Sequence, residues 1–252
     1  MVNFEVEQHS LSWFRQRIGY ITGSQVGLLM KSGRNAIFSE TAKSYIYQIA
    51  AERDMNDAII NDDELFSQYI QYVDVSSKAM RFGTENEGNA RTLYSKIIGQ
   101  DILEVGSCKH ESIPYFASSP DGYIENKITG EKIVIEIKCP TQATYMRYVD
   151  EIDEKSHKIQ NGALVITDSF TESDIIECAN TSLLSVKPEY YYQCMAHIAC
   201  TGADYCVFIA YCPFQNHPIH TVRIYPDLKV IAEMENRITM ANDIINQIID
   251  FD

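Results

Sequence analysis

The segment EKIVIEIKCP, residues 131–140, constrains the fold of this chain more than any other stretch of its sequence. It is short, rich in β-branched residues and bounded by turn residues, so it predicts a β-strand whose side chains alternate between two faces. One face then carries only isoleucines: Ile133, Ile135 and Ile137. The other face carries Val134, Glu136 and Lys138. A strand buried on both sides is usually apolar throughout, so this acid and this lysine require an explanation.

Two explanations fit the charged face of this strand. The strand is half-solvated and carries an ordinary surface ion pair, or it carries part of a functional site. The preceding SPDG segment, residues 119–122, favours the second, because a hairpin through Thr129-Gly130 brings Asp121 next to Glu136. Taken alone, SPDG also fits a simple type I turn with proline at its second position.

Convergence of Asp121 and Glu136 predicts a cation site, because two neighbouring carboxylates repel each other unless a cation joins them. Mg²⁺ is commonly held by one or two carboxylates together with water and substrate phosphate. A lysine beside them, here Lys138, can align the attacking water, help to deprotonate it and offset charge in the transition state. This set of side chains suits phosphodiester hydrolysis.

A third carboxylate is available in the helix predicted for residues 76–99. Glu87 could lie over the sheet and join the other two acids. The alternative is that Glu87 is a solvated acid on an acid-rich helix, and Glu85 competes for the same role.

The order of predicted elements indicates an α/β protein with a central mixed sheet flanked by helices. Helices are expected at residues 10–17, from about Thr22 to residue 30, and at 39–53 and 76–99. Strands are expected at 101–110, 115–126, 131–140, 203–213 and 217–226, with helices at 141–152 and 187–202 between them. A closing helix is expected to start at Pro226. Residues 157–187 fit an inserted hairpin or loop. We predict a single domain, 1–252, with a helical part (about 1–100), a sheet core (about 101–225) and a C-terminal helix (about 226–250).

The charge of −14 argues against a protein that coats DNA through general basicity. Local basic pairs nevertheless permit a basic channel in an acidic exterior: Arg15 with Arg17, Lys31 with Arg34, Lys78 with Arg81, and Lys155 with Lys158. The sequence contains no apolar run of membrane-spanning length and no recognisable signal peptide. A cytoplasmic location, with no membrane partner, is therefore expected.

Seven cysteines occur in the chain, and four of them recur every six residues: Cys194, Cys200, Cys206 and Cys212. An iron–sulfur cluster is one interpretation of this spacing. Buried reduced thiols are the better one, because the first two lie on a predicted helix where a six-residue spacing puts them on different faces. The other two lie in an apolar strand, where buried cysteine is common.

Four blocks of the sequence resemble the PD-(D/E)xK nuclease superfamily, and more closely the lambda-exonuclease/YqaJ-type viral recombinases. They are WFRQRIGYITGS at 13–24, GTENEGNARTLY at 83–94, SSPDG at 118–122 with IEIKCP at 135–140, and YYYQCM at 190–195 with its continuation to FIAYCP at 208–213. The resemblance implies a restriction-endonuclease-like core.

The resemblance also implies roles for individual residues. The metal-binding positions are Asp121, Glu136, Ile137 and Glu87, and it favours Glu87 over Glu85. Lys138 resembles the catalytic lysine of the family. Gln193 resembles a glutamine that lies near the catalytic centre, although the second glutamine often found two residues later is Met195 here. The stretch between Lys138 and Gln193 is also longer than the family pattern.

Arg17, Ser24 and Ser119 resemble the residues that hold the 5′-phosphate end. Chemistry supports this role, because the arginine fork suits phosphate and Ser24 is predicted at a helix start, where free N–H groups attract anions. Without the resemblance, Arg17 would be a surface residue and Ser24 a helix cap. The single tryptophan, Trp13, is more typical of a core anchor than of a base-stacking group.

The residues themselves predict a metal-dependent nuclease, and the resemblance implies a Mg²⁺-dependent 5′→3′ double-strand DNA exonuclease, with two ions per site and Mn²⁺ able to substitute. The resemblance implies a phage or prophage recombination system in a bacterial host, or another virus in its host cell. It further implies a ring-shaped homotrimer and a single-strand annealing protein as partner. Two alternatives stay open: a restriction or structure-specific endonuclease on the same core, and a non-catalytic DNA-binding subunit.

Overall fold

The computed structural model describes residues 2, 6–73, 77–154, 158–160, 163–165 and 171–250. Its helices are α1 (Leu11–Arg17), α2 (Val26–Leu29), α3 (Glu40–Arg53), α4 (Asp57–Asn61), α5 (Asp63–Val73), α6 (Lys78–Ile98), α7 (Gln142–Glu151), α8 (Glu172–Val186), α9 (Pro188–Thr201) and α10 (Leu228–Ile249). Its strands are β1 (Ile21–Thr22), β2 (Cys108–Lys109), β3 (Phe116–Ser118), β4 (Gly122–Glu125), β5 (Lys132–Lys138), β6 (Lys158–Gln160), β7 (Ala163–Val165), β8 (Tyr205–Tyr211) and β9 (Ile219–Ile224).

The central sheet has the strand order β4-β5-β8-β9. β4 and β5 form an antiparallel hairpin, β5 and β8 run parallel, and β8 and β9 are antiparallel. A smaller sheet has the order β1-β3-β2, with β1 and β3 parallel. The predicted α/β fold, a mixed sheet flanked by helices, is confirmed.

β5 has the two faces that its sequence predicts. The three isoleucines at 133, 135 and 137 pack with Ala90 of α6 and with Val207 and Ile209 of β8. Val134 faces the opposite side, where it belongs to the larger core with Tyr148 of α7 and Phe208 of β8. The charged side chains of Glu136 and Lys138 alternate with the isoleucines, so they point towards α9 and away from α6.

Side-chain caps define where several helices begin. Ser10, Ser39, Ser77 and Thr141 each accept a hydrogen bond from a backbone N–H in the first turn of the following helix. α6 ends at Gly99, which adopts the left-handed conformation expected of a glycine stop. α10 is capped by Asp227, so Pro226 precedes the helix and does not start it as predicted. On α10, Met234, Ile238, Ala241 and Ile245 are buried, whereas Leu228 is exposed.

Two predicted elements near the N-terminal side of the site differ in the structure. Thr22 belongs to β1, where it pairs with Ala117, and the following helix starts only at Val26. Residues 101–110 contribute only the two-residue strand β2 and an isolated bridge from Leu103 to Tyr123. The apolar residues of this segment predicted a longer strand. The strand with which it pairs, β3, has only three residues, so the pairing is short.

The region predicted as an inserted hairpin or loop contains both a hairpin and a long helix. β6 and β7 pair antiparallel, and α8 begins with a capping box between Thr171 and Asp174. α8 packs against α9. The helix was not predicted, and residues 157, 161–162 and 166–170 of this region lie outside the described residues, as does Lys155 of the predicted basic pair with Lys158.

All seven cysteines are free thiols, and the four regularly spaced ones are buried. The described residues contain no group of three or more His, Cys, Asp or Glu side chains arranged to hold a metal ion. The interpretation as buried thiols fits this environment, and the iron–sulfur interpretation does not. No helix in the described ranges is both long and apolar enough to cross a membrane.

Candidate active site

The β4–β5 hairpin brings Asp121 and Glu136 together as its sequence predicts. Gly122 pairs with Ile135, and the amide of Asp121 donates to the carbonyl of Ile135 at 2.8 Å. Oδ2 of Asp121 accepts from the amide of Ile137 at 2.6 Å. Gly122 permits the close approach on the other side, since a Cβ there would lie 2.5 Å from Cγ2 of Ile102. Asp121 is therefore held to β5 by its backbone and its side chain.

Glu136 is completely buried, with 0% of its surface exposed. Its Oε1 contacts the ammonium of Lys138, and its Oε2 lies 2.6 Å from Nε2 of His197 on α9. The half-solvated surface ion pair considered from the sequence is therefore wrong. A buried carboxylate is tolerated only when charged or hydrogen-bonding partners compensate its lost hydration, and both kinds are present here.

The two carboxyl groups have pKa shifts in opposite directions. Burial, with repulsion from Glu136 and Glu87, raises the pKa of Asp121 well above its usual range. Burial alone would also raise the pKa of Glu136, but the Lys138 ammonium and the hydrogen bond from His197 outweigh it and lower that pKa. The site therefore holds one firmly ionised carboxylate beside a second that resists ionisation.

Lys138 is held as a cation. Burial would lower the pKa of its amine, but the carboxylates of Glu136 and Asp121 raise it above the ordinary lysine value. The ammonium also lies 5.0 Å from the ring centre of Tyr190. This environment supports the charge-offsetting role of Lys138 over its role in deprotonating water, which needs a neutral amine.

Glu87 approaches the other acids from α6. Burial raises the pKa of Glu87, and it interacts electrostatically with Lys138 and Glu136. One turn further along α6, Nε of Arg91 donates to the carbonyl of Asp121 at 2.9 Å, which fixes this helix against the hairpin. Glu85 is exposed, so the structure brings Glu87 and not Glu85 to the site.

α9 covers the charged face of β5 with three residues of one helical face. Tyr190, Gln193 and His197 are separated by three and four positions, so their side chains project on the same side. Tyr190 contacts Lys138 and His197 contacts Glu136, which places the buried Gln193 between them beside the site. Met195 points elsewhere and is fully buried in the core.

Arg17 lies next to the carboxylates through Ser119. Nη1 of Arg17 donates to Oγ of Ser119 at 2.9 Å, two residues before Asp121. The guanidinium stacks on Trp13, with its Cζ atom 4.1 Å from the ring centre. Burial lowers the pKa of Arg17 to about 10. Within the described part of the chain, no carboxylate forms an ion pair with Arg17. A desolvated cation of this kind suits an incoming phosphate.

Ser24 lines the same cavity as Arg17, Trp13, Tyr45 and Tyr69, with a volume of about 590 Å³. Its hydroxyl lies 3.3 Å from Oγ1 of Thr22 and is exposed. Ser24 is in the turn between β1 and α2 and not at a helix start, so the helix-dipole argument made from the sequence does not hold. Trp13 is buried, as expected of an anchor, and its ring also supports Arg17.

The oxygen donors at the site fit a divalent cation by their chemistry. Burial raises the pKa of Asp121, and repulsion from Glu136 and Glu87 raises it further; a cation bound between the carboxylates would relieve that repulsion. No three side chains in the described residues form a complete ligand group by themselves. Two carboxylates supplemented by water and phosphate oxygens are a common arrangement for Mg²⁺.

Three site residues were missed by the sequence analysis: His197, Tyr190 and Ser118. Oγ of Ser118 lies 2.7 Å from Nδ1 of His197. The signal was present, since Tyr190 and His197 share a helical face with Gln193. The packing of that helical face onto β5 could not be predicted from the sequence, because the two segments are far apart in the chain.

The residues of this site lie within a segment that matches a known protein family. The sequence model of the YqaJ-like viral recombinase domain matches residues 12–204, most of the chain. The chain belongs to the YqaJ-like viral recombinase domain family. A search of curated proteins finds no match.

Solved structures share the fold of this family member. The crystal structure of an alkaline exonuclease, LHK-Exo, from Laribacter hongkongensis aligns with a TM-score of 0.67 and 24% identity, covering 96% of this chain and 95% of that one. LHK-Exo in complex with dAMP aligns equally well. A phage-related exonuclease from Haemophilus somnus 129PT aligns with a TM-score of 0.55 and 14% identity, covering 91% and 95%. At these identities the alignments show a common fold.

Proposed function

We propose that this chain is a metal-dependent exonuclease that degrades double-stranded DNA from its ends in the 5′→3′ direction. One observation carries the proposal: two buried or half-buried carboxylates, Asp121 and Glu136, meet across a hairpin beside the ammonium of Lys138. Membership of the YqaJ-like recombinase family and the fold shared with exonucleases support the same activity.

Each side chain has a distinct task in this proposal. Asp121 and Glu136, with Glu87 from α6 and the backbone of Ile137, would hold Mg²⁺ or Mn²⁺, two ions per site by resemblance. When bound, these ions would supply an activated water and neutralise charge on the phosphate. Lys138 adds a fixed positive charge where negative charge develops on the scissile phosphate. Gln193 contributes a neutral amide on the same side.

End recognition is assigned to Arg17, Ser119 and Ser24. An anion at the guanidinium of Arg17 would lie next to Ser119 and therefore close to Asp121. A phosphate held there would fix the position of a DNA strand end relative to the carboxylates. The scissile bond would then be oriented for attack. The desolvated surroundings of Arg17 strengthen that interaction.

Several further parts of the proposal rest on the resemblance to lambda-exonuclease-type proteins. They are a homotrimeric ring around DNA, a single-strand annealing protein that receives the single-stranded product, and a role in phage-type recombination within a host cell. Single-stranded tails are the expected product of digestion.

The experiment that tests the activity is digestion of linear duplexes with and without a 5′-phosphate, in Mg²⁺ and in chelator. Covalently closed circular DNA of the same sequence is the matched control. We expect phosphorylated linear DNA to be degraded from its 5′ ends in Mg²⁺, unphosphorylated DNA more slowly, and circular DNA to resist. Cleavage that persists in chelator contradicts the metal mechanism. Cutting of the closed circle contradicts the exonuclease and favours the endonuclease alternative.

A further inference from the structure

His197 is buried directly behind the catalytic carboxylate. Its side chain is 1% exposed, in the middle of α9. Both ring nitrogens have partners: Nε2 lies 2.6 Å from Oε2 of Glu136, and Nδ1 lies 2.7 Å from Oγ of Ser118. Glu136 and Ser118 are each 0% exposed, so water does not compete for these contacts.

The protons of these two contacts follow from the chemistry of the partners. An ionised carboxylate only accepts hydrogen bonds, so Nε2 of His197 must be the donor to Glu136. In a neutral ring Nδ1 then accepts, and the hydroxyl of Ser118 donates to it. Both ring nitrogens of His197 have a partner in this arrangement, so the ring is held at both edges and its orientation is fixed.

Ser118 is itself fixed by close packing. It lies on β3, opposite Cys108 of β2. A Cβ atom at Gly23 would lie 2.1 Å from Oγ of Ser118, so the loop before Ser24 passes the hydroxyl only because residue 23 is glycine. The contacts therefore run from this loop, through Ser118 and His197, to Glu136.

We propose that His197, oriented by Ser118, is a positioning residue for Glu136. By occupying Oε2 it turns Oε1 towards Lys138 and the side from which a divalent cation would be bound. This inference rests on the proposed function, because it assigns Glu136 to that cation. Partners that orient a ligand in this way commonly change metal affinity or activity by about 10- to 100-fold when they are replaced.

Two isosteric substitutions separate positioning from simple packing. In His197→Gln the side-chain amide reaches the place of Nε2 and can still donate to Glu136. In His197→Asn the shorter amide reaches only the place of Nδ1, so the contact with Ser118 is kept and that with Glu136 is lost. Both variants keep a neutral polar side chain in the same buried place. Ser118→Ala is a third variant that leaves the histidine in place and frees its other edge.

The measurements are Mn²⁺ binding to the DNA-free protein by calorimetry, thermal unfolding, and kcat and KM on linear duplex DNA. We expect His197→Asn to weaken Mn²⁺ binding and lower kcat, each by about 10- to 100-fold, with KM for DNA unchanged. His197→Gln keeps the contact with Glu136 but not the one with Ser118, so it should show only a smaller loss in the same two quantities, similar to that of Ser118→Ala.

Equal behaviour of the glutamine and asparagine variants overturns the inference, whether both match the wild type or both lose activity in step with thermal stability. If His197→Asn does not fold, Ser118→Ala decides: unchanged Mn²⁺ binding and kcat then overturn it. A wild-type protein that cuts DNA without any divalent cation contradicts the proposed function instead, and that result is visible before any variant is made.

Discussion

At the scale of residues, the site is defined by charges that the fold holds together at a cost. Asp121 and Glu136 are close enough to repel, and Lys138 compensates only part of that repulsion. Functional sites commonly contain such unfavourable charge arrangements, which stabilise a ligand or transition state rather than the folded chain. The consequences are measurable in stability as well as in activity.

Asp121→Asn is expected to stabilise the metal-free protein while abolishing cleavage. The asparagine oxygen can still accept from the amide of Ile137, whereas the repelled charge is removed. The raised pKa of Asp121 means that the native protein binds this proton more tightly than the unfolded chain. The gain in melting temperature should therefore be largest above the raised pKa of Asp121, and it should fade as the pH falls from there to the ordinary aspartate range, where the side chain is protonated in both states. A variant less stable than the wild type at neutral pH contradicts this account.

Lys138→Ala should lower kcat by about 10²- to 10³-fold, because it removes a fixed positive charge from the reacting phosphate. DNA binding should change much less. Lys132→Ala is the matched control, since Lys132 begins the same strand but its side chain is exposed. Steady-state digestion of linear DNA gives both values. A wild-type rate for Lys138→Ala would remove the lysine from its assigned role.

Arg17→Gln should abolish the preference for 5′-phosphorylated ends, reducing the rate ratio between phosphorylated and unphosphorylated duplexes by about 10- to 100-fold. Arg15→Gln is its control on the same helix, because Arg15 is already paired with Asp63 and with the carbonyl of Ile60. Competition between the two duplexes in one tube measures the ratio. An equal effect of both substitutions argues against a specific phosphate site.

At the scale of elements, three pieces deliver the site. The β4–β5 hairpin supplies Asp121, Glu136 and Lys138 in register, and α6 adds Glu87. α9 closes over the charged face of β5 with His197. The position of Glu87 depends on the stability of α6 and on where this helix ends. Two glycines, one inside α6 and one at its end, allow these two features to be tested separately.

Gly99→Ala and Gly83→Ala are expected to change stability in opposite directions. Gly99 ends α6 with φ +67°, and nothing lies within 4 Å of an added Cβ, so alanine there costs about 1 kcal/mol of backbone strain. Gly83 lies inside the helix with equally open space, so alanine gains about 0.5 to 1 kcal/mol. Melting temperatures should move by about 2 to 4 °C per kcal/mol. Shifts of the same sign would contradict the assigned helix end.

At the scale of the whole molecule, the net charge of −14 and the proposed substrate are in tension. The sequence composition does not provide a basic exterior, so the proposed DNA binding would depend on local groups such as Arg17 and on the proposed ring. A ring that encloses DNA would retain the substrate without strong surface attraction. This is the physical reason for expecting the oligomer that the resemblance implies.

Sedimentation velocity of the purified protein should therefore show a species of about three times the 28.7 kDa chain mass. Processive digestion, in which few duplexes are degraded fully while others stay intact, should accompany it. A monomer that remains monomeric with DNA contradicts the ring.

The sequence by itself determined the centre of the site, because strand alternation and hairpin register are local rules. The period of two in β5 put Glu136 and Lys138 on one face, and the short turn paired Asp121 with them. Caps such as Ser39 and Gly99 likewise marked helix ends locally. The family resemblance favoured Glu87 over Glu85 and added Gln193, Arg17, Ser119 and Ser24.

Only the tertiary structure decided what surrounds that centre. The burial of the charged face of β5 depends on α9, which is about 50 residues away in the chain. The contact of His197 with Glu136 depends on the same packing. The two-residue strand β1 and the late start of α2 follow from pairing with β3, which no local pattern near Thr22 announces. α8 was missed because its amphipathic pattern is weak and its partner, α9, is visible only in three dimensions. Local periodicity sets the direction of each side chain, but burial is set by contacts between distant segments.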